Sequence, residues 1–237
     1  MRRLLTLVLV LLAQTAAAAG IRAYDVRVRV APAGTAEVDA VLHLDDATGT
    51  LRIPAGFTEV TALSLVAGPA GTTVTAEPAG KQTVLRIAFP ASTPSPVTVA
   101  LTFRTGVVLS DVTGAAGAPR LLRHTLLNSQ ADPIDLYTVR VMLPPDVRAH
   151  AVREALPARK PVDTTPRVAL AEVDGANGVV LRAVQMAQGD TVSMQVETAP
   201  ASRSLLWIIA GASLSLLYFA RFRDLVEPSP ASDTRIP

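Results

Sequence analysis

The amino-acid sequence predicts an all-β fold. The expected form is an antiparallel β-sandwich, divided into two immunoglobulin-like domains, carried on one C-terminal transmembrane helix. Three observations lead there. Short runs of alternating apolar and polar residues recur through the middle of the chain, separated by Gly- and Pro-rich turns. Between the two ends of the chain, no apolar stretch of ten or more residues carries a helical period. One uncharged run, Leu205 to Ala220 (LLWIIAGASLSLLYFA), lies close to the C-terminus.

The N-terminus reads as a secretory signal peptide over residues 1–19. Met1-Arg2-Arg3 gives a positive start, Leu4 to Leu12 an apolar core, and Ala17 and Ala19 the small residues of a cleavage site before Gly20. A core of about nine residues is too short to span a bilayer. Export would place residues 20 to about 202 outside the cytoplasm.

The first domain is expected over 20–104. Tyr24, Val26, Val28 and Val30 alternate with Asp25, Arg27 and Arg29. Pro32-Ala33-Gly34-Thr35 makes a turn, and Val38, Ala40, Leu42 and Leu44 then alternate with polar partners. Folded as a hairpin, this sets Arg27 across from Asp39 and Arg29 across from Glu37. Each such pair contributes roughly 0.2–1 kcal/mol on a solvated face. Further strands are expected at Thr50–Ile53, Val60–Val66, Thr72–Ala76, Val84–Phe89 and Val97–Arg104, the last with Val97, Val99, Leu101 and Phe103 inward.

Residues 105–119, rich in Gly and Ala, read as a linker. The second domain is expected over 120–200. Its strands are Leu121–Leu127, Ile134–Leu143 (with Tyr137, Val139, Val141 and Leu143 inward), Val168–Val173, Val179–Val184 and Thr191–Thr198. The polar, proline-broken run 153–166 reads as an exposed loop.

The transmembrane helix is expected over 203–222. Its uncharged run of about 16 residues is roughly 24 Å long, short for a hydrocarbon core of about 30 Å. Arg203, Trp207, Tyr218, Arg221 and Arg223 are the interface anchors that extend it. The positive residues after the run suit a cytoplasmic C-terminus in the bacterial inner membrane, with the tail 223–237 disordered. Gly211 and Ser215 form a small-xxx-small pair that lets two helices approach, and so allows a homo-oligomer.

Composition excludes several chemistries. There is no cysteine, so neither thiol catalysis nor Cys-ligated zinc is available, and stability rests on core burial. Net charge is only +2 and no Lys/Arg run tracks a nucleic acid. No nucleophile elbow, paired-His zinc motif or phosphate loop occurs, and no cofactor is expected. His43, Asp45 and Asp46 are the nearest approach to a metal-ligand cluster, although an exposed strand end accounts for them. Asp132 and Asp135, and the Asp174–Gly178 segment, read as turns. Arg120, Arg123 and His124 are candidates for a small anion-binding spot, set against a solvated face.

The segments Ile21–Val26 and Val30–Val38 (VAPAGTAEV), together with Asn128–Pro144 (NSQADPIDLYTVRVMLP), resemble an uncharacterised group of bacterial predicted membrane proteins. That resemblance implies a signal peptide, a β-rich ectodomain and membrane helices, and carries over no functional residue. The expected role is a non-catalytic interaction or accessory protein of the cell envelope, with the bilayer and an envelope protein as partners. The alternatives are an extracytoplasmic ligand- or metal-binding sensor module and an envelope hydrolase.

Overall fold

The structure is a computed structural model that describes residues 20–111, 119–130, 133–156, 167–201 and 204–226. The expected signal peptide and the end of the expected tail lie outside the described residues. The chain divides into two units, one ending at Pro200 and the other beginning at Ala201.

The first unit is all-β. The opening alternation builds β1 (Ile21–Val30) and β2 (Ala36–Leu44), whose register sets Arg27 opposite Asp39 and Arg29 opposite Glu37, although Arg29 takes both Glu37 and Asp39 as ion-pair partners and Arg27 pairs with Asp174. The chain continues through β3 (Thr50–Pro54), β4 (Thr61–Ala67), β5 (Thr73–Ala79), β6 (Gln82–Ala88) and β7 (Val97–Thr105). Then come β8 (Leu109–Asp111), β9 (Arg120–Leu127), β10 (Ile134–Met142) and β11 (Val147–Leu156). The unit closes with β12 (Arg167–Val173), β13 (Ala176–Met186) and β14 (Thr191–Pro200).

These strands form a seven-stranded sheet, in the order β12-β13-β10-β1-β2-β7-β4, a four-stranded sheet β11-β14-β9-β8 and a three-stranded sheet β3-β6-β5. Among the described residues all pairings are antiparallel except one: β1 and β10 run parallel at the middle of the large sheet. A single hydrophobic core takes residues from all three sheets, including Val26 and Val139 of the large sheet, Leu85 of the small one and Leu122 of the four-stranded one. Every inward residue expected on β1, β7 and β10 is buried there, as are Val192, Met194 and Val196 of β14.

The expected pair of stacked domains is replaced by one shared architecture. β10 and β13, from the second half, join β1, β2 and β7 in one sheet. The physical reason is that β1 is flanked on both edges, and its second neighbour comes from the far half of the chain. The expected linker is also partly structured: Val108 and Leu109 are buried, β8 lies within it, and residues 112–118 lie outside the described residues. β11 occupies residues expected to begin an exposed loop, and pairs with β14 through two register shifts that blur its alternation.

The second unit holds one helix, α1 (Ser204–Val226), which runs beyond the expected end at residue 222. Among the described residues, no helix is long and apolar enough to cross a membrane. The charged residues Arg221, Arg223 and Asp224 close the apolar run well before the helix ends.

Candidate functional site

Alternation along β9 turns Leu122, His124 and Leu126 into the core and leaves Arg123, Thr125 and Leu127 exposed. His124 is therefore an imidazole forced into an apolar interior, only 4% exposed. Its Nε2 shares a 2.7 Å hydrogen bond with the Tyr137 hydroxyl of β10 in the facing sheet. Tyr24 of β1 packs beside Tyr137, with ring centroids 5.3 Å apart, and donates its own hydroxyl to the Pro54 carbonyl at 3.2 Å. Phe57 completes the cluster, 5.2 Å from the His124 ring and 5.9 Å from Phe103.

Burial governs the electrostatics. It pushes the His124 pKa down to about 4, so the ring is neutral at pH 7. It raises both tyrosine pKa values, that of Tyr137 further because of Tyr24 beside it, so both hydroxyls keep their protons. The remaining ring nitrogen, His124 Nδ1, is buried and has no hydrogen-bond partner among the described residues.

A cleft of about 540 Å³ opens where the three-stranded sheet meets the four-stranded one, and His124 lines it. Gly56 stands at this seam with φ +78°, and a Cβ there would come within 2.7 Å of His124 Cε1. Glycine is needed for both the backbone conformation and the approach. Gln82 ties the two sheets across the seam. Its amide donates to the Leu127 carbonyl at 3.1 Å and accepts from the Leu127 N–H at 3.4 Å. Arg123 and Lys81 are the charged side chains of the cleft lining, which contains no carboxylate.

A larger concavity of about 810 Å³ lies over Arg29, Glu37, Glu59 and Arg104. Its arginines are already matched, since Glu37 pairs with Arg29 at 3.2 Å and with Arg104 at 4.0 Å.

The residues singled out from the sequence are distributed as follows. His43 Nδ1 lies 3.1 Å from Thr98 Oγ1, Asp45 is 4.0 Å from Arg22 Nε, and Asp46 accepts bonds from Ala47 N and Ser95 Oγ. Each thus has a local partner, and no group of three or more potential metal ligands occurs among the described residues. Asp174 turns at φ 49° and pairs with Arg27 at 3.4 Å. Asp132 lies outside the described residues, and Asp135 is exposed.

The expected anion spot is only partly assembled. Arg120 is committed to Asp111 and to the carbonyls of Pro32 and Leu109, whereas Arg123 and His124 both line the seam cleft. Lys81 and Phe57, missed in the sequence, join them from a distant turn and loop. On α1, Ser215 Oγ donates back to the Gly211 carbonyl at 2.9 Å, and Tyr218 stacks on Phe222 at 4.2 Å. Arg221 is exposed. Arg203 and the side chains of Trp207 and Arg223 lie outside the described residues.

No protein-family model matches the chain, and no curated protein matches it. Solved structures similar to it include a candidate protease from Parabacteroides distasonis, at 10% identity over 77% of this chain and 41% of that one, with a TM-score of 0.47. Another is the M1 zinc metallopeptidase from Deinococcus radiodurans, at 14% identity over 76% of this chain and 42% of that one, with a TM-score of 0.39. The chain spans less than half the length of either. The folded domain of Mycobacterium tuberculosis LppM is similar at 14% identity over 81% of this chain and 96% of that one, with a TM-score of 0.31.

Proposed function

We propose that this chain is a non-catalytic interaction or accessory protein of the bacterial cell envelope, exported and held at the membrane by α1. The observation that carries the reading is the apolar surface of α1. Ile209, Leu214, Leu216, Leu217, Tyr218, Phe219 and Phe222 are all exposed, from 40% to 74%. At 3.6 residues per turn they cover every side of the helix, not one stripe. A helix apolar all round needs an apolar surrounding, either a protein core or a bilayer. The β-sandwich already has its own closed core. A bilayer, with Arg221 at the headgroups, is the surrounding that fits.

A non-catalytic role fits the use of the buried polar groups. His124, Tyr137 and Tyr24 spend their hydrogen bonds joining the two layers of the sandwich.

The test is extraction and affinity purification of the full chain from native membranes, beside a variant ending at residue 202. Resistance to alkaline carbonate, and a co-purifying envelope protein that is lost or weakened on truncation, are the expected results. A chain recovered in the aqueous wash without any partner would overturn the proposal.

A further inference from the structure

We propose that the seam cleft between the three-stranded and four-stranded sheets binds an amphiphilic anion, a long-chain carboxylate, with its head at Lys81 and Arg123 and its chain along Phe57, Val107 and Val108. The inference does not depend on membrane tethering and stands on three observations.

The first is charge. The described residues form ion pairs throughout the sheets, and most exposed arginines take part in them. Lys81 and Arg123 have no ion-pair partner among the described residues, yet both line the same cleft, where no carboxylate neutralises them. Two unmatched cations on one concave wall attract an anion, and the low-dielectric walls beside them strengthen that attraction.

The second is the apolar lining. Phe57 and Val108 are buried at its inner side, while Val107 is 65% exposed at its mouth. A bare inorganic anion would leave the Val107 side chain wet, whereas an acyl chain would cover it and run on against Phe57 and Val108. The larger neighbouring concavity lacks this combination, because its arginines are already paired with Glu37.

The third is His124. It lines the cleft, is nine-tenths or more buried, and its Nδ1 has no partner among the described residues. A neutral imidazole in the wall leaves one hydrogen-bonding nitrogen unused by the fold and adds no charge to the site.

The experiment uses the full chain kept in amphipol, so that no detergent competes. Oleate, methyl oleate, oleylamine and inorganic phosphate are titrated below micelle-forming concentrations, with stoichiometry read by native mass spectrometry and affinity by calorimetry. The expected result is one oleate per chain, with methyl oleate and oleylamine each binding at least roughly tenfold more weakly, the scale of one charged hydrogen bond. The Lys81→Ala/Arg123→Ala double variant, altered at exposed positions, loses roughly tenfold or more in oleate affinity. Val107→Trp, which fills the mouth, weakens oleate without creating phosphate binding.

Equal binding of the methyl ester, many oleates per chain, an unchanged double variant, or phosphate binding as well as oleate would each overturn the proposal. A chain that fails to associate with membranes would leave this titration unaffected, so the two readings fail separately.

Discussion

His124 Nε2 lies 2.7 Å from the Tyr137 hydroxyl with both side chains buried, so a single hydrogen bond ties β9 of the four-stranded sheet to β10 of the seven-stranded sheet. Nearby, Tyr24 bonds the Pro54 carbonyl and Asn128 bonds the Met186 carbonyl, and apolar side chains surround these contacts. Protonating His124 would place a charge at that junction.

Stability should therefore fall in mild acid. The His124 pKa is lowered from 6.5 to about 4 in the fold, so the folded state disfavours the proton that the unfolded chain accepts. The contribution is complete above pH 6.5 and is lost progressively as the pH falls from 6.5 through about 4. A shift of that size amounts to on the order of 3 kcal/mol. Urea denaturation of wild type and His124→Phe across this range checks it, with the expected outcome that the variant loses the slope between pH 6.5 and 4.

Tyr137→Phe should cost about 1–3 kcal/mol, because it strands a buried imidazole nitrogen. Tyr24→Phe removes a longer bond, 3.2 Å, to the Pro54 carbonyl and should cost about 1 kcal/mol. The denaturant midpoints of the two variants, measured at pH 8, should rank them in that order.

Gly56→Ala should destabilise by more than about 2 kcal/mol, since it adds both a positive φ and a 2.7 Å clash with His124. Gly49, at φ +71° with nothing within 4 Å, is the control, and alanine there should cost only about 1–2 kcal/mol. Equal melting temperatures for the two variants would remove the close approach at Gly56 as a constraint on the seam.

Leu101→Ala should cost about 2–5 kcal/mol, since Leu101 is 1% exposed in the common core. Arg29→Ala removes exposed pairs with Glu37 and Asp39 and should cost less than about 1 kcal/mol, with the difference vanishing in high salt. Thermal melts at low and high ionic strength separate the two cases.

Leu214→Lys together with Leu217→Lys places charges midway along α1. Under the proposed tethering by α1, charges on its apolar surface oppose contact with lipid. The double variant should move from the membrane pellet to the aqueous wash in carbonate fractionation, while the β-sandwich keeps its melting temperature.

The strands of the core were legible because one face of each is buried and the other is wetter. Tyr24-Asp25-Val26-Arg27-Val28 carries its burial pattern in its alternation, and the Arg27–Asp39 and Arg29–Glu37 register followed from the Pro32–Thr35 turn between two alternating runs. β11 hid because its two register shifts break the period of two, and β8 because three residues hold too little pattern. The sharing of one sheet between the two halves was not legible, since periodicity reports which face is buried and not which strand lies alongside. The seam cleft was half legible. Arg123 and His124 stand next to each other on one strand, but the arrival of Lys81 and Phe57 beside them follows from tertiary packing.

The parallel pairing of β1 with β10 also dictates an order of events. A chain that emerges N-terminus first can fold β1 against β2 and then add β7, but the other edge of β1 stays open until Ile134–Met142 arrives. Closing that gap joins segments roughly a hundred residues apart, a long loop of the kind that slows folding. During that interval the nascent sheet offers the unpaired edge of its future central strand to any neighbouring chain. A chain stalled before β10 should accordingly aggregate where the finished one does not.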